Sequence, residues 1–121
     1  MKNFRNLNIW INAMQLTKDI YKLVLNLPDV EKFGLRSQIT RAVVSIPSNI
    51  AEGCSRSSDI ELARFLEIAL GSAFEVETQL IIMKDIYSIQ ETEIVFEQIN
   101  SLQKMINAYK IKIKENPNKP Y

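Results

Sequence analysis

At 121 residues, 46% hydrophobic and 24% charged, the chain has the size and composition of one soluble globular domain, not of a disordered or fibrous protein. A net charge of +1 is too weak to signal nucleic-acid binding by itself, and the absence of histidine removes the commonest general base and transition-metal ligand. No apolar run reaches the roughly 18 residues of a membrane span, the N-terminal Met1–Asn6 is polar and unlike a signal core, and the lone Cys54 permits no intrachain disulfide, so the expected location is the cytoplasm.

The first helix is expected over about Leu7 to Leu25. Trp10, Ala13, Thr17, Ile20, Val24 and Leu27 recur at three- and four-residue steps and stack on one side. Met14, Leu16, Tyr21 and Leu23 widen the apolar surface beyond one face, as in a helix with neighbours on two sides. Leu27-Pro28-Asp29 ends it, because a residue before proline avoids the helical region. A short turn then leads to Gly34.

The second helix is expected over Leu35 to Cys54, with Gly53 as its terminator. Ile39, Ala42, Val43, Ile46 and Ile50 form its apolar face. Gln38, Arg41, Ser45, Asn49, Glu52 and Arg56 form a second stripe at the same steps. This stripe is short and mixed in charge, where an ordinary outer face carries long Lys and Glu. With Ser48, Ala51 and Gly53 it permits close approach of another backbone. Pro47 removes one intrahelical hydrogen bond and predicts a kink near Val43.

Ser58 to Glu61 reads as a capping box opening the third and longest helix, Asp59 to about Tyr87. Leu62, Leu66, Ala69, Ala73, Val76, Leu80 and Met83 alternate steps of four and three, a coiled-coil-like seam. Phe65, Ile68, Ile82 and Ile86 add a second apolar patch. Gly71 at mid-helix costs about 1 kcal/mol against alanine and implies close packing, with Trp10 or Phe4 expected against it. Ser88 to Glu91 reads as another capping box. A fourth helix follows to about Lys114, with Val95, Ile99, Leu102, Ile106, Tyr109 and Ile113 in phase. Residues 116–121 are expected to be a disordered tail, leaving residues 1–115 as one domain. Four amphipathic segments with short connections predict an all-α, antiparallel up-down four-helix bundle.

Charge is distributed in blocks. Residues 1–64 carry nine Lys/Arg and six Asp/Glu, residues 65–103 one and seven, and residues 104–121 five and one. Such a chain presents an acidic side and a basic side.

Chemistry-bearing residues are sparse. A di-iron bundle needs Glu-x-x-His pairs, and there is no histidine. Cys54 has no partner base and reads as a small packing residue. Ser45 and Ser48 have no adjacent base. Glu52, Glu75 and Glu77 are candidates for a carboxylate site, but Glu52 has an (i, i+4) partner in Arg56. No metal or cofactor and no enzymatic activity are expected. Arg36, Arg41, Arg56 and Arg64 suit bidentate phosphate contacts. Repetition around an oligomer axis would turn a few such positions into a ring.

Ser45-Ile-Pro-Ser-Asn-Ile-Ala-Glu-Gly53 resembles the signature of the four-helix-bundle family of 23S ribosomal RNA intervening-sequence proteins. The resemblance includes Phe33-Gly34-Leu35, Gln38-Ile39, Arg41-Ala42, Phe65-Leu66, Ile68-Ala69, Gly71-Ser72 and Glu75, reaches back to Trp10 and Ala13, and covers most of residues 7–85. The last helix matches only in periodicity. The accessory variability protein of diversity-generating retroelements is a relative of this family. The resemblance thus implies a ring-shaped homo-pentamer acting with a reverse transcriptase and its template RNA. The intervening-sequence family's name records where its genes sit, not an activity. The leading expectation is a non-enzymatic oligomer that binds RNA or a ribonucleoprotein partner, with Arg36, Arg41, Ser45, Asn49, Glu52 and Arg56 as nucleic-acid or subunit contacts. The alternative is a protein-binding assembly module without nucleic-acid affinity.

Overall fold

A computed structural model describes residues 2–115; the tail expected at 116–121 lies outside the described residues. Four α-helices carry the architecture: α1 (Asn8–Leu23), α2 (Leu35–Cys54), α3 (Asp59–Tyr87) and α4 (Glu93–Lys114). Single 3₁₀ turns at Phe4–Asn6, Val24–Asn26 and Asp29–Glu31 lead into α1, extend it and bridge to α2. No strand occurs among the described residues. α1 packs on α2 and α4, and α3 packs on the same two, so α1 and α3 lie diagonally across an up-down bundle.

The core follows the predicted seams. All seven α3 seam residues, Leu62 through Met83, are fully buried, and so are Ile39, Val43, Ile46 and Ile50 of α2. Each such aliphatic side chain stabilises the fold by about 1.5–3 kcal/mol relative to exposure. In α4, Val95, Ile99, Leu102, Ile106 and Ile113 are buried, and Tyr109 is half-buried. On α1 both expected surfaces contribute to the core, and the adjoining 3₁₀ turn buries Val24 and the residue after it, Leu27. Ile9, Leu16 and Leu23 are buried with Ala13 and Ile20, while Trp10 and Thr17 are only half-buried. A helix that contacts two neighbours buries two adjacent stripes, as the widened apolar surface of α1 implies.

α2 continues across Pro47, which is itself buried. Proline donates no hydrogen bond to the Val43 carbonyl. The Thr17 hydroxyl of α1 bonds Ala13 O at 2.8 Å and lies 3.5 Å from Val43 O, so a polar group on α1 faces the freed acceptor.

Of the two capping boxes expected at the connections, one cap forms and one does not. The Ser58 hydroxyl does accept from Glu61 N at 3.2 Å. The second box does not form: Ser88 takes a left-handed backbone (φ 52°) and closes α3, its N–H donating to Lys84 O at 3.0 Å. Glu91 is left-handed as well (φ 61°), and α4 starts only at Glu93. A reversal this short needs left-handed residues, which removes Ser88 from the helix-start geometry that a box requires.

The close packing expected at one glycine falls on another. At Gly71 a Cβ would meet nothing within 4 Å, and neither Trp10 nor Phe4 covers it. Phe4 instead meets Trp10 edge-on at 5.2 Å. Position 71 is out of phase with the buried seam and faces outward. Gly53, read as a terminator, is where α2 and α3 touch closely: a Cβ there would lie 2.7 Å from Leu62 Cδ1 and 2.9 Å from Phe65 Cβ.

Candidate functional site

The six residues singled out along α2 separate into four places. Arg36 is partly exposed in the first turn, and Arg56 lies just beyond the last, about 30 Å away at 1.5 Å per residue. Arg41 is exposed between them, one turn from the exposed Val44. Ser45 and Asn49 turn into the groove between α2 and α3. Ser45 Oγ lies 2.9 Å from Ser72 Oγ, and Asn49 Nδ2 donates to Ser45 O at 2.8 Å and Ser45 Oγ at 2.9 Å. The close backbone approach implied by these small residues is therefore made within the chain, against α3. Ser72 completes that network, and only its place in the Gly71-Ser72-Ala73 run marks it in the sequence.

Glu52 and Arg56 form the expected (i, i+4) ion pair at 2.8 Å. The Arg56 guanidinium lies 4.9 Å from the Phe65 ring, and its Nε is buried without a hydrogen-bond partner. The three carboxylates considered for a hydrolytic site do not gather. Glu52 pairs with Arg56, Glu77 accepts from Gln103 Nε2 at 2.9 Å, and Glu75 is exposed. Cys54 is buried, and burial pushes its thiol up against a smaller opposing pull from Lys2. A thiol so held is a poor nucleophile.

Charge is unevenly placed along the bundle. The start of α1, the end of α2, the start of α3 and the end of α4 share one end. Lys2, Arg5, Arg56, Arg64, Lys110, Lys112 and Lys114 cluster toward it, against Glu52, Asp59, Glu61, Glu67 and Glu115. Aromatic rings are interleaved: Arg5 lies 4.5 Å from the Phe4 ring, and Lys2 Nζ donates to Tyr109 OH at 3.1 Å. The opposite end holds Asp19, Asp29, Glu31, Asp85, Glu91, Glu93 and Glu97 against Lys18, Lys22, Lys32, Arg36 and Lys84, so each end keeps a small excess of one sign. Block charges in sequence thus become a small axial difference in charge, because antiparallel helices bring alternate termini together.

At the basic end a cleft of about 270 Å³ opens between the first turns of α3 and the last of α4, lined by Asp59, Ile60, Ala63, Arg64, Glu67 and Lys114. Lys114 Nζ donates to Glu67 Oε1 at 2.7 Å, and this bond holds the Glu67 carboxyl below the usual carboxylate range. Asp59 is 6% exposed, and its Oδ1 is buried without a hydrogen-bond partner. Sequence reasoning read Asp59 only as the first residue of a helix.

The outer face of α3 is the other unusual surface. Ile68, Phe74, Ile81, Ile82 and Ile86 are exposed there, Phe74 by 53%, with exposed Gly71 in their midst. No helix among the described residues is long and apolar enough to cross a membrane.

A family model described as "23S rRNA-intervening sequence protein" matches residues 5–108. Among solved structures, the fold is similar to a crystal structure from Bacteroides thetaiotaomicron VPI-5482, described as a protein with unknown function from the S23 ribosomal protein family. The TM-score is 0.75 at 23% identity, over 85% of this chain and 95% of that one. That likeness extends to the fold alone. No curated protein matches the sequence.

Proposed function

The chain belongs to the 23S rRNA-intervening sequence protein family, and on that premise we propose that it is a non-enzymatic homo-oligomer that binds RNA or a ribonucleoprotein partner in the cytoplasm. The observation that carries the oligomer is the outer face of α3. A surface helix ordinarily keeps its outer face polar, yet Ile68, Phe74, Ile81, Ile82 and Ile86 of α3 face solvent in the single chain. Exposed Gly71 leaves a side-chain-free hollow among them. Several large apolar side chains exposed on one helix are the kind of surface that marks a contact site. The proposed occupant is a second copy, in a ring of five as the resemblance implies.

A closed ring needs two different complementary patches. α3 and the start of α4 supply acidic groups, with Glu67, Glu75 and Asp85 beside the apolar face. The complementary patch is the outer side of α1 and α2, where Ile11, Tyr21, Leu25 and Val44 are exposed with Lys18 and Arg41. RNA is assigned to the basic end of the bundle, multiplied around the ring. Phosphate neutralisation, not net charge, sets such affinity.

Light scattering on a sizing column tests the assembly. Wild-type protein is expected to elute as an oligomer, and Gly71→Arg or Ile82→Asp as a folded monomer. A monomeric wild type at micromolar concentration removes the oligomer. A salt titration with a labelled single-stranded RNA tests the second part. Affinity is expected to fall steeply, with a log–log slope of about −0.7 per phosphate neutralised. The pairing of Arg56 with Glu52 favours the other reading, an assembly module without nucleic-acid affinity. Absence of RNA binding at low salt selects it.

A further inference from the structure

We propose that Phe33 anchors one copy of the chain to the next, seating its ring on the outer face of α3 around Ile82 and Ile86 of a second copy. The inference rests on the oligomer reading and names the side chain that covers part of the α3 face. Its first support is how Phe33 is presented. The side chain is 88% exposed where the α1–α2 connection enters α2, with Val30 81% and Leu25 66% exposed in the same connection. Scattered apolar residues on a surface are ordinary, but here three large ones stand between positions 25 and 33. The connection is also fastened. Glu31 Oε1 accepts from Leu35 N at 3.0 Å, and Glu31 Oε2 accepts from the Tyr87 hydroxyl, which ties the turn before Phe33 to α2 and to the end of α3. An aromatic side chain on a fixed backbone loses little freedom when it docks, and buried aromatic anchors carry much of the binding energy of an interface.

The second support is charge. Lys32 precedes Phe33, its Nζ 5.6 Å from the ring centre, and Arg36 follows in the first turn of α2. On α3 the exposed Asp85 stands next to Ile86 and three residues from Ile82. Its neighbour Lys84 lies against the Phe96 ring, Nζ 5.6 Å from the centre. Among the described residues, none of Lys32, Arg36 and Asp85 forms an ion pair within the chain. An apolar knob flanked by cations thus matches an apolar face beside an unpaired carboxylate, and both belong to this chain. That complementarity selects a second copy as the occupant.

The third support is level. Copies in a closed ring are related by rotation alone, so two surfaces that meet stand at equal height along its axis. The bond between Glu31 and Tyr87 sets the turn before Phe33 level with the last turns of α3. In a ring of upright bundles Phe33 therefore meets Ile82 and Ile86. Gly71 lies about 24 Å back from Tyr87 at 1.5 Å per residue, opposite the α1 and α2 surfaces of the second copy.

Light scattering over a concentration series of the full chain tests the anchor. Phe33→Ser opens no cavity, because the side chain is exposed, and is expected to keep the helical circular dichroism of the wild type. Its dissociation constant for assembly is expected to rise at least about tenfold, the loss of one anchoring side chain. A Phe33→Ser protein that assembles as tightly as the wild type overturns the proposal and leaves the oligomer reading standing. A monomeric wild type removes that reading and the anchor with it. Charge exchange tests the seat. Lys32→Glu is expected to weaken assembly, and Asp85→Lys added to the same chain is expected to restore it. A double variant no better than Lys32→Glu alone overturns the seat beside Asp85. If Phe33→Ser fails to fold, a photoreactive phenylalanine analogue at position 33 decides. Crosslinks to residues 78–90 of a second chain support the seat. Crosslinks elsewhere on the second chain, to a different protein, or to nothing refute it.

Discussion

An added Cβ at Gly53 meets Phe65 Cβ at 2.9 Å, an atom fixed to its backbone, and Leu62 Cδ1 at 2.7 Å on a fully buried side chain. Neither has room to retreat. Gly53→Ala gains about 1 kcal/mol of helix propensity and sets it against an overpacking cost of about 1–3 kcal/mol. The expected outcome is a net loss of roughly 1 kcal/mol and a melting temperature lower by a few degrees. Gly71→Ala removes the same backbone freedom without a collision and is expected to stabilise the dilute chain in urea unfolding by up to about 1 kcal/mol. A rise in melting temperature for Gly53→Ala would show that the α2–α3 contact yields more easily than its geometry implies. The sequence marked both glycines as special and could not say which one touches a neighbour. A glycine's identity records the absence of a side chain, and only the packed partner helix tells whether that absence is used.

At the scale of elements, the entry to α2 has no side-chain cap at Gly34, and Glu31 takes that role from the preceding 3₁₀ turn. Its Oε1 accepts from Leu35 N at 3.0 Å, and its Oε2 accepts a short bond from the Tyr87 hydroxyl at the end of α3. One carboxylate thus ties the turn, α2 and α3 together. The bond from Tyr87, then that from Leu35, hold the Glu31 carboxyl below the usual range, and the same bond pushes the Tyr87 hydroxyl up. Folded Glu31 therefore binds its proton more weakly than unfolded Glu31. Its contribution is present above the unfolded value of about 4.3 and is lost as pH falls through the lower folded value. The melting temperature of the wild type is expected to fall as pH drops from about 5 to about 3. Glu31→Gln flattens part of that slope, and Glu67, also held low by Lys114, keeps the remainder. Identical slopes for the two proteins would remove Glu31 as a contributor. Periodicity could not have found this tie, because the partners are 56 residues apart.

On the scale of the whole molecule, the charge blocks leave a small excess of one sign at each end of the bundle, and α3 carries exposed apolar residues on its outer side. The acidic groups along α3 and the exposed Arg41 and Lys18 are the two patches proposed to meet in a ring. Arg41→Glu is expected to lower the assembled mass, more at low than at high ionic strength, because screening weakens the like-charge repulsion it introduces. The measurement is light scattering at two salt concentrations. An oligomer intact in both would move the subunit contact away from Arg41 and leave the α3 face to be matched by another surface.

The sequence by itself determined the helical class and the bounds of α2 and α3. It also determined the buried seams of α2, α3 and α4, and the family. These are local properties: an apolar residue every three or four positions has one way to be buried, and Pro28, Gly34 and Ser58 punctuate the chain wherever they fall. Tertiary structure alone decided that Ser45 and Asn49 spend their hydrogen bonds on the α2–α3 groove, that Gly53 and not Gly71 is the close contact, and that Asp59 is buried without a partner. The Ser88 reversal belongs with them. Each depends on what stands across from a residue once the helices have packed, and a small or polar side chain has no pattern along the chain that names its partner in space.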